Sequence, residues 1–171
     1  GTSFLPVGAK WDNVSRQIVN PISPNGAMST LLYDGGPPFN VPGGGPGGAD
    51  LSLLENTTLG MNTLGFGHQF TVGNRMADEF IVSPGETWTI DSLIFYAYQT
   101  GSTTTSTMTG VYFQIWDGDP AGAGTVVFGD LTTNRLSNTY WSNIYRHSET
   151  SPGSTRPIMR NVCGTSGLVL T

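Results

Sequence analysis

The acidic side chains best placed to bind a metal ion lie in one glycine-containing segment. Asp117 and Asp119 flank a single glycine, and Asp130 follows a short apolar run. Carboxylates two residues apart in such a loop are typical ligands of Ca²⁺, which prefers hard oxygen donors. The segment lacks the Glu that closes an EF-hand loop, and Asp and Gly are also ordinary turn residues. Structural Ca²⁺ at Asp117, Asp119 and Asp130 is therefore one hypothesis, and plain turns are the other.

Aromatic side chains offer a second kind of chemistry, because flat rings stack on the apolar faces of sugars. The chain holds four Trp, six Tyr and eight Phe. Rings that share one exposed face of a sheet form a platform for a polysaccharide, whereas rings that point inward fill a core. The candidate platform residues are Tyr112, Trp116, Tyr140 and Trp141.

The sequence carries no recognisable catalytic signature. His68 and His147 are the only histidines, and neither belongs to a Ser/His/Asp motif. We expect His68 in an aromatic strand, partly buried, and His147 in a polar loop. Cys163 is the only cysteine, which excludes an intrachain disulfide, and its apolar run predicts a small buried residue and not a nucleophile. The glycine-rich loop 35–50 lacks the Gly-Lys-Ser/Thr of a phosphate-binding loop. The sequence therefore predicts no catalytic residue and no enzyme.

Charge and hydropathy argue against two classes of partner. The formal net charge is -5, and Lys10 is the only lysine, so the clustered cations that nucleic-acid binding requires are missing from the sequence. No apolar run approaches the roughly 20 residues of a membrane helix, and residues 1–3 carry no signal peptide. We therefore expect no membrane insertion. A lysine-poor, weakly acidic chain rich in Thr, Ser, Asn and Gly is typical of secreted and cell-surface modules of bacteria.

Short β-strands separated by polar turns must position these side chains. Alternation slips near Asp91-Ser92, which predicts a bulge or bend, and Asp50–Leu54 is predicted as a single helical turn capped by Asp50. About nine strands fit an antiparallel, jelly-roll-like β-sandwich better than a small barrel, so we predict an all-β fold. The predicted strands, rich in β-branched and aromatic residues, are Met28–Tyr33, Leu64–Val72, Met76–Val82, Thr87–Tyr98, Met108–Trp116, Thr125–Phe128, Ser142–Arg146, Arg156–Val162 and Gly167–Thr171.

Two parts of the chain differ in organisation. Residues 1–27 are predicted to form an extended N-terminal arm, and residues 28–171 the sandwich domain. The arm cannot bury its own apolar groups, so we expect it to lie against its own domain or against a neighbouring molecule. These groups are Phe4, Leu5, Val7, Trp11, Val14, Ile18 and Val19.

Six runs of the sequence carry a resemblance to a known family, namely Gly60–Gly67, Asn74–Phe80, Trp88–Gly101, Val126–Asp130, Asn143–Arg146 and Arg156–Arg160. Together they resemble a family of bacterial secreted proteins with jelly-roll-like modules. The resemblance covers about residues 28–171 and implies secretion and a β-sandwich, but no active site. It also implies a further aromatic-rich strand after Gly167–Thr171. We therefore expect either a sequence truncated before that strand or an open edge that the arm fills, within its own chain or in the next molecule.

These expectations define two functional hypotheses. The first is a non-enzymatic extracellular structural or adhesive module. In one version of this hypothesis the arm inserts as a strand into the next molecule and builds a head-to-tail filament. The second is a carbohydrate-binding module that uses exposed aromatic side chains on a cell-surface polysaccharide.

Overall fold

The computed structural model describes residues 30–53, 67–148 and 155–171. The chain divides into two units, 1–35 and 36–171. Residues 30–35 of the first unit are exposed and carry no helix or strand, so the predicted strand Met28–Tyr33 is wrong over its described residues. Leu31, Leu32 and Tyr33 are consecutive and 39–48% exposed, without the alternation that covers one face of a strand. The predicted arm, residues 1–27, lies outside the described residues.

The second unit is built from β-structure, which confirms the all-β prediction. Its described residues form six strands, fewer than the predicted nine, and two single turns of 3-10 helix at Pro46–Gly48 and Phe70–Val72. The strands are β1 (Asp50–Leu53), β2 (Trp88–Ala97), β3 (Phe113–Asp117), β4 (Thr125–Asp130), β5 (Leu136–His147) and β6 (Thr155–Leu170).

The strands form a four-stranded sheet of order β1-β5-β6-β2 and a separate β3-β4 hairpin. β6 pairs antiparallel with both β5 and β2, whereas β1 runs parallel to β5. The purely antiparallel prediction is therefore wrong for β1. The same segment was expected to begin a helix at Asp50, but Asp50 instead pairs with Ile144, and its Oδ1 accepts a hydrogen bond from the Gly43 amide at 2.8 Å. Long-range pairing overrides the weak local preference of this segment.

Two further differences reduce the strand count. Met76–Val82 forms no strand, and Met76 and Ile81 are 57% and 78% exposed. The adjacent acids Asp78 and Glu79, which are poor strand formers, interrupt its apolar pattern. The last two predicted strands run together as β6. Leu64–Val72 lies outside the described residues up to Phe66, and the remainder contains the second 3-10 turn.

Buried side chains lie on both sides of β6, and the more continuous row defines what we call the inner face. Its residues alternate along the strand: Met159, Asn161, Cys163 and Thr165 are all at most 1% exposed. Pairing places further side chains on the same face. These neighbours are Leu93, Phe95 and Ala97 on β2 and Leu136, Thr139 and Trp141 on β5.

The connection from β2 to β3 and the β3-β4 hairpin cover the inner face. The Phe113 ring of the hairpin packs against Phe95 with centroids 5.6 Å apart. Ser106, in the connection from β2 to β3, lies 2.7 Å from the Thr139 hydroxyl, which donates to Asn161 Oδ1 at 2.8 Å. The opposite side of the sheet, which we call the outer face, carries the side chains at the intervening positions.

The irregularity predicted near Asp91-Ser92 is confirmed, and it is a bulge whose extra residues lie on β6. Pairing of β2 with β6 shifts between Ile90 and Ser92, and the extra residues on β6 include Ser166 and Gly167, both with positive φ. The buried Thr165 hydroxyl donates to the Ile90 carbonyl and fixes the distortion. A phase slip in the alternation of a strand is thus a local signal that the sequence carries.

Candidate functional site

Three side chains form a row across the outer face, which we call the Tyr-Arg-Tyr row. Tyr140 on β5, Arg160 on β6 and Tyr96 on β2 are successive cross-strand neighbours. Cross-strand partners lie on the same face of a sheet. Tyr140 and Tyr96 are 40% and 42% exposed, and Arg160 between them is partly buried.

Arg160 links the two phenols of this row. Its Nη1 donates a hydrogen bond to the Tyr140 hydroxyl, and its Cζ lies 5.7 Å from the centre of the Tyr140 ring. Partial burial lowers the pKa of Arg160, but the hydrogen bond and attraction to Tyr140, together with those to Tyr96, outweigh it and raise that pKa above its usual value. The guanidinium therefore carries its positive charge throughout the working pH range and holds both hydroxyls near it.

The four predicted platform residues do not come together. Tyr140 and Trp141 are consecutive in β5 and therefore point to opposite faces. The Trp141 indole N–H donates to the Ile144 carbonyl at 3.1 Å, and its ring lies 5.3 Å from that of Tyr145. Of the four predicted platform residues, only Tyr140 is exposed.

The other two predicted platform residues belong to the hairpin region. Tyr112 stacks on Phe70 at 4.4 Å between ring centroids, with 26° between the ring planes. Trp116 pairs with Val126 inside the hairpin and is half-buried. A platform made of all four residues is therefore not formed, because they are divided between two sheets and two faces.

The hairpin register separates the predicted metal ligands. Asp117 lies opposite Thr125, next to the turn, while Asp130 lies opposite Phe113 at the other end of the two strands. A strand rises about 3.3 Å per residue, so the four-residue interval puts roughly 13 Å between these ends. Sequence proximity suggested one site, but an antiparallel hairpin carries the two acids to its opposite ends.

Protein groups already occupy the carboxylate oxygens of Asp130. Oδ1 accepts hydrogen bonds from the Thr132 and Thr133 amides and from the Thr132 hydroxyl, and Oδ2 accepts one from the Thr133 hydroxyl. Arg135 Nη2 adds an ion pair at 3.5 Å. The Thr132 hydroxyl and amide, followed by those of Thr133, hold the pKa of Asp130 well below its usual value. Asp130 therefore orders the turn after β4.

Asp119 has a similar role in the turn between β3 and β4. Its Oδ1 accepts a hydrogen bond from the Ala121 amide at 2.8 Å, and its carbonyl oxygen accepts from the Gly122 and Gly124 amides. In the described ranges, no three His, Cys, Asp or Glu side chains are grouped closely enough to hold a metal ion. The turn interpretation accounts for each bond of these acids, and the shared calcium site stays a prediction.

The remaining reactive groups lie in structural positions. Cys163 is fully buried, as predicted, and burial raises the pKa of its thiol to about 11, which disfavours a thiolate. His68 is exposed and outside any strand, contrary to expectation. His147 ends β5 in place of a loop, and its Nδ1 lies 3.1 Å from the Thr155 hydroxyl.

Tyr96 and Arg160 were missed by sequence reasoning. Both sit in predicted strands, but they meet only because β2 and β5 pair with the two edges of β6. The sequence carries only two weak signals for this site. Strand alternation places each residue on the opposite face from its sequence neighbours, and an Arg among apolar residues must reach an exposed or paired position. The register across three strands cannot be read from the sequence of any one of them.

Comparisons with models of protein families, with curated proteins and with solved structures find no match to this chain. Within the described ranges, no helix has the length and apolar character needed to cross a membrane.

Proposed function

We propose that this protein is a non-enzymatic, extracellular structural or adhesive module of a bacterial cell surface, with a jelly-roll-like β-sandwich completed by strand addition. The observation that carries the proposal is the position of β2 at the end of the four-stranded sheet. The composition and the family resemblance support secretion.

The outer edge of β2 is suited to accept another strand. β2 is ten residues long, and within the described residues its ladder partner is β6 alone. It contains neither Pro nor Lys, the residues that most often protect an outer strand, and Asp91 is its only charge. The other outer strand, β1, has four residues and already forms a bridge to Val41. Strand addition therefore favours β2.

The proposed occupant is the segment 1–27 of a second copy. Its apolar residues need a surface to cover, and main-chain hydrogen bonds to an edge supply affinity without a sequence-specific groove. Insertion into a neighbour is head-to-tail, and such contacts extend into filaments when the rotation does not close. Insertion into the same molecule gives a monomer.

Disulfide trapping in the full chain tests this proposal. Val7→Cys and Thr89→Cys chains, mixed in equal amounts and oxidised, are expected to form a covalent heterodimer on a non-reducing gel. The native Cys163 does not interfere, because it is fully buried. The matched control replaces Thr89→Cys with Thr125→Cys, an exposed position on β4. Equal cross-linking at both positions, or a full chain that is a monodisperse monomer, contradicts assembly between copies.

Deletion of residues 1–20 provides a second readout. We expect it to abolish large particles in size-exclusion chromatography and electron microscopy while the far-UV circular dichroism keeps its β character. Particles that persist in the deleted chain show that another contact drives association.

A second candidate function, polysaccharide binding, is favoured by the exposure of Tyr140 beside Arg160. Of the four aromatic residues first considered, Tyr140 is the one that keeps an exposed ring on a sheet face. Polar residues that flank an exposed ring fix the orientation of a sugar.

A further inference from the structure

The Tyr-Arg-Tyr row has the features of a small ligand site on an otherwise acidic protein. Two phenol rings, 40% and 42% exposed, flank a guanidinium on three neighbouring strands. Tyr and Arg are the residue types that most often dominate the energy of binding surfaces, since they combine large contact area with fixed hydrogen-bond donors. We propose that this row binds a carboxylated polysaccharide, an inference that rests on the second candidate function.

The dimensions of the row fit a short stretch of a sugar chain. Neighbouring strands lie about 4.8 Å apart, so the outer two residues of the row are separated by roughly 10 Å across the sheet. That span is comparable to the length of a disaccharide. A chain lying across the strands places one sugar ring over Tyr140 and the next near Tyr96, with Arg160 between them.

The chemistry of Arg160 selects an acidic sugar. A guanidinium has five N–H donors in a planar fork, and its hydrogen bond to the Tyr140 hydroxyl leaves donors for a carboxylate. Arg and carboxylate form paired, charge-assisted hydrogen bonds that are stronger than those between neutral groups. The Tyr140 hydroxyl holds the guanidinium in place before the ligand arrives, which reduces the entropy lost on binding.

The charge of the whole chain limits the choice of polyanion. With a net charge of -5 and one guanidinium in the row, the protein repels a densely charged phosphate polymer, whose binding depends on many cations. A uronic-acid polymer carries one carboxylate per sugar and an apolar ring face for stacking. The row therefore matches a carboxylated saccharide better than a nucleic acid or a teichoic-type phosphate chain.

Calorimetric titration of the full chain with galacturonic acid oligomers tests the proposal. The matched probe is the methyl ester of the same oligomer, which keeps the rings and removes the charge. We expect the acid form to bind at least tenfold more tightly than the ester. Equal binding of both overturns the assignment of an acidic ligand while leaving saccharide binding intact, and binding of neither overturns the row as a saccharide site and, with it, the second candidate function.

Variants locate the binding. Arg160→Gln is expected to weaken acid binding at least tenfold, and Arg160→Lys to restore part of it, because Lys keeps the charge without the planar fork. Tyr140→Ala is expected to weaken both probes, because stacking is lost. The control, Arg75→Gln, removes an exposed arginine outside the sheet and is expected to leave affinity unchanged.

Two outcomes of the variants overturn the site. One is unchanged affinity in Arg160→Gln with wild-type circular dichroism, and the other is an equal loss in Arg75→Gln, which indicates general electrostatics. If Arg160→Gln does not fold, the comparison of Arg160→Lys with wild type and the acid–ester comparison on the native chain decide the question. Disulfide trapping at β2 is independent of all these results, so strand addition stands or falls separately.

Discussion

Gly129 holds the β3-β4 hairpin at a separation that no other residue permits. It lies opposite Gln114 with φ of +83°, a conformation that L-residues rarely adopt. A Cβ at this position would meet the Phe113 carbonyl oxygen at a distance that real Cβ atoms do not show, and would lie 3.2 Å from the Cα of Gln114. Gly129→Ala therefore combines a conformational penalty with a steric clash against backbone that cannot rotate away.

The expected loss of stability is the sum of the conformational penalty and the steric clash. The left-handed conformation costs an alanine about 1–2 kcal/mol. Overpacking that forces backbone apart costs typically about 1–3 kcal/mol more. We expect Gly129→Ala to lower the free energy of unfolding by about 2–5 kcal/mol, measured by urea denaturation and linear extrapolation. The effect should extend beyond the hairpin, because Phe113, whose carbonyl oxygen would be displaced, packs on Phe95 of β2.

A second glycine allows the conformational penalty to be measured without the steric clash. Gly101 has nearly the same φ, +82°, but a Cβ there meets nothing within 4 Å. Gly101→Ala should therefore show the conformational penalty alone. If Gly129→Ala is no more destabilising than Gly101→Ala, the close approach of β3 to β4 at this position is refuted. If both are neutral, the positive φ values are refuted as well.

Two further measurements test the buried thiol and the acidic turns. Because the pKa of Cys163 is raised from 9.0 to about 11, the native state holds its proton while the unfolded state loses it, so stability is complete below pH 9 and declines as pH rises towards 11. The decline is up to about 2.7 kcal/mol at 1.36 kcal/mol per pKa unit, and Cys163→Ala should lack it in urea denaturation at pH 8 and pH 10.5; an identical decline in both chains contradicts the burial argument. If a calcium ion were shared by Asp117, Asp119 and Asp130, a chelator would lower the melting temperature. Because Asp117 and Asp130 lie at opposite ends of the hairpin, we expect thermal melts with and without a chelator to be the same, and a lower melting temperature with the chelator contradicts this expectation.

Local signals in the sequence predict those parts of the fold that neighbouring residues determine. The run Thr87–Tyr98 gives β2 because it is rich in β-branched and aromatic residues, and its phase slip marks the bulge at Asp91. Gly118, Asp119 and the Pro and Gly residues that follow them mark the turn between β3 and β4. These features depend on a few consecutive residues, so no knowledge of distant partners is needed.

Features that depend on distant pairing are not available from the sequence. Asp50 has the residue type of a helix cap, yet parallel pairing with β5 makes it the first residue of a strand. The buried face of β6 holds Asn161 and Thr165, polar residues that a periodicity argument assigns to the surface. They are accommodated because Asn161 donates to the Phe95 and Met159 carbonyls, and the Thr165 hydroxyl donates to the Ile90 carbonyl.

The register that builds the Tyr-Arg-Tyr row depends on two irregularities. Without the bulge near Asp91, the pairing of Ile90 with Leu168 would continue regularly, and Tyr96 would face Val162, two residues beyond Arg160. Without the one-residue shift between Leu136 and Asn138 in β5, Tyr140 would face Met159 and point inward.

A slip of one residue in a strand moves every side chain to the other face, whereas a slip of two keeps the face and displaces the neighbours. The first of these irregularities is readable in the sequence, and the second is not, since Ser137 at the shift lies in ordinary polar surroundings. The Ser137 hydroxyl donates to the Val162 carbonyl at 2.9 Å and thereby anchors the extra residue against β6. The exposed row therefore exists only where both distortions are in place, so its residues could not be chosen from strand patterns alone.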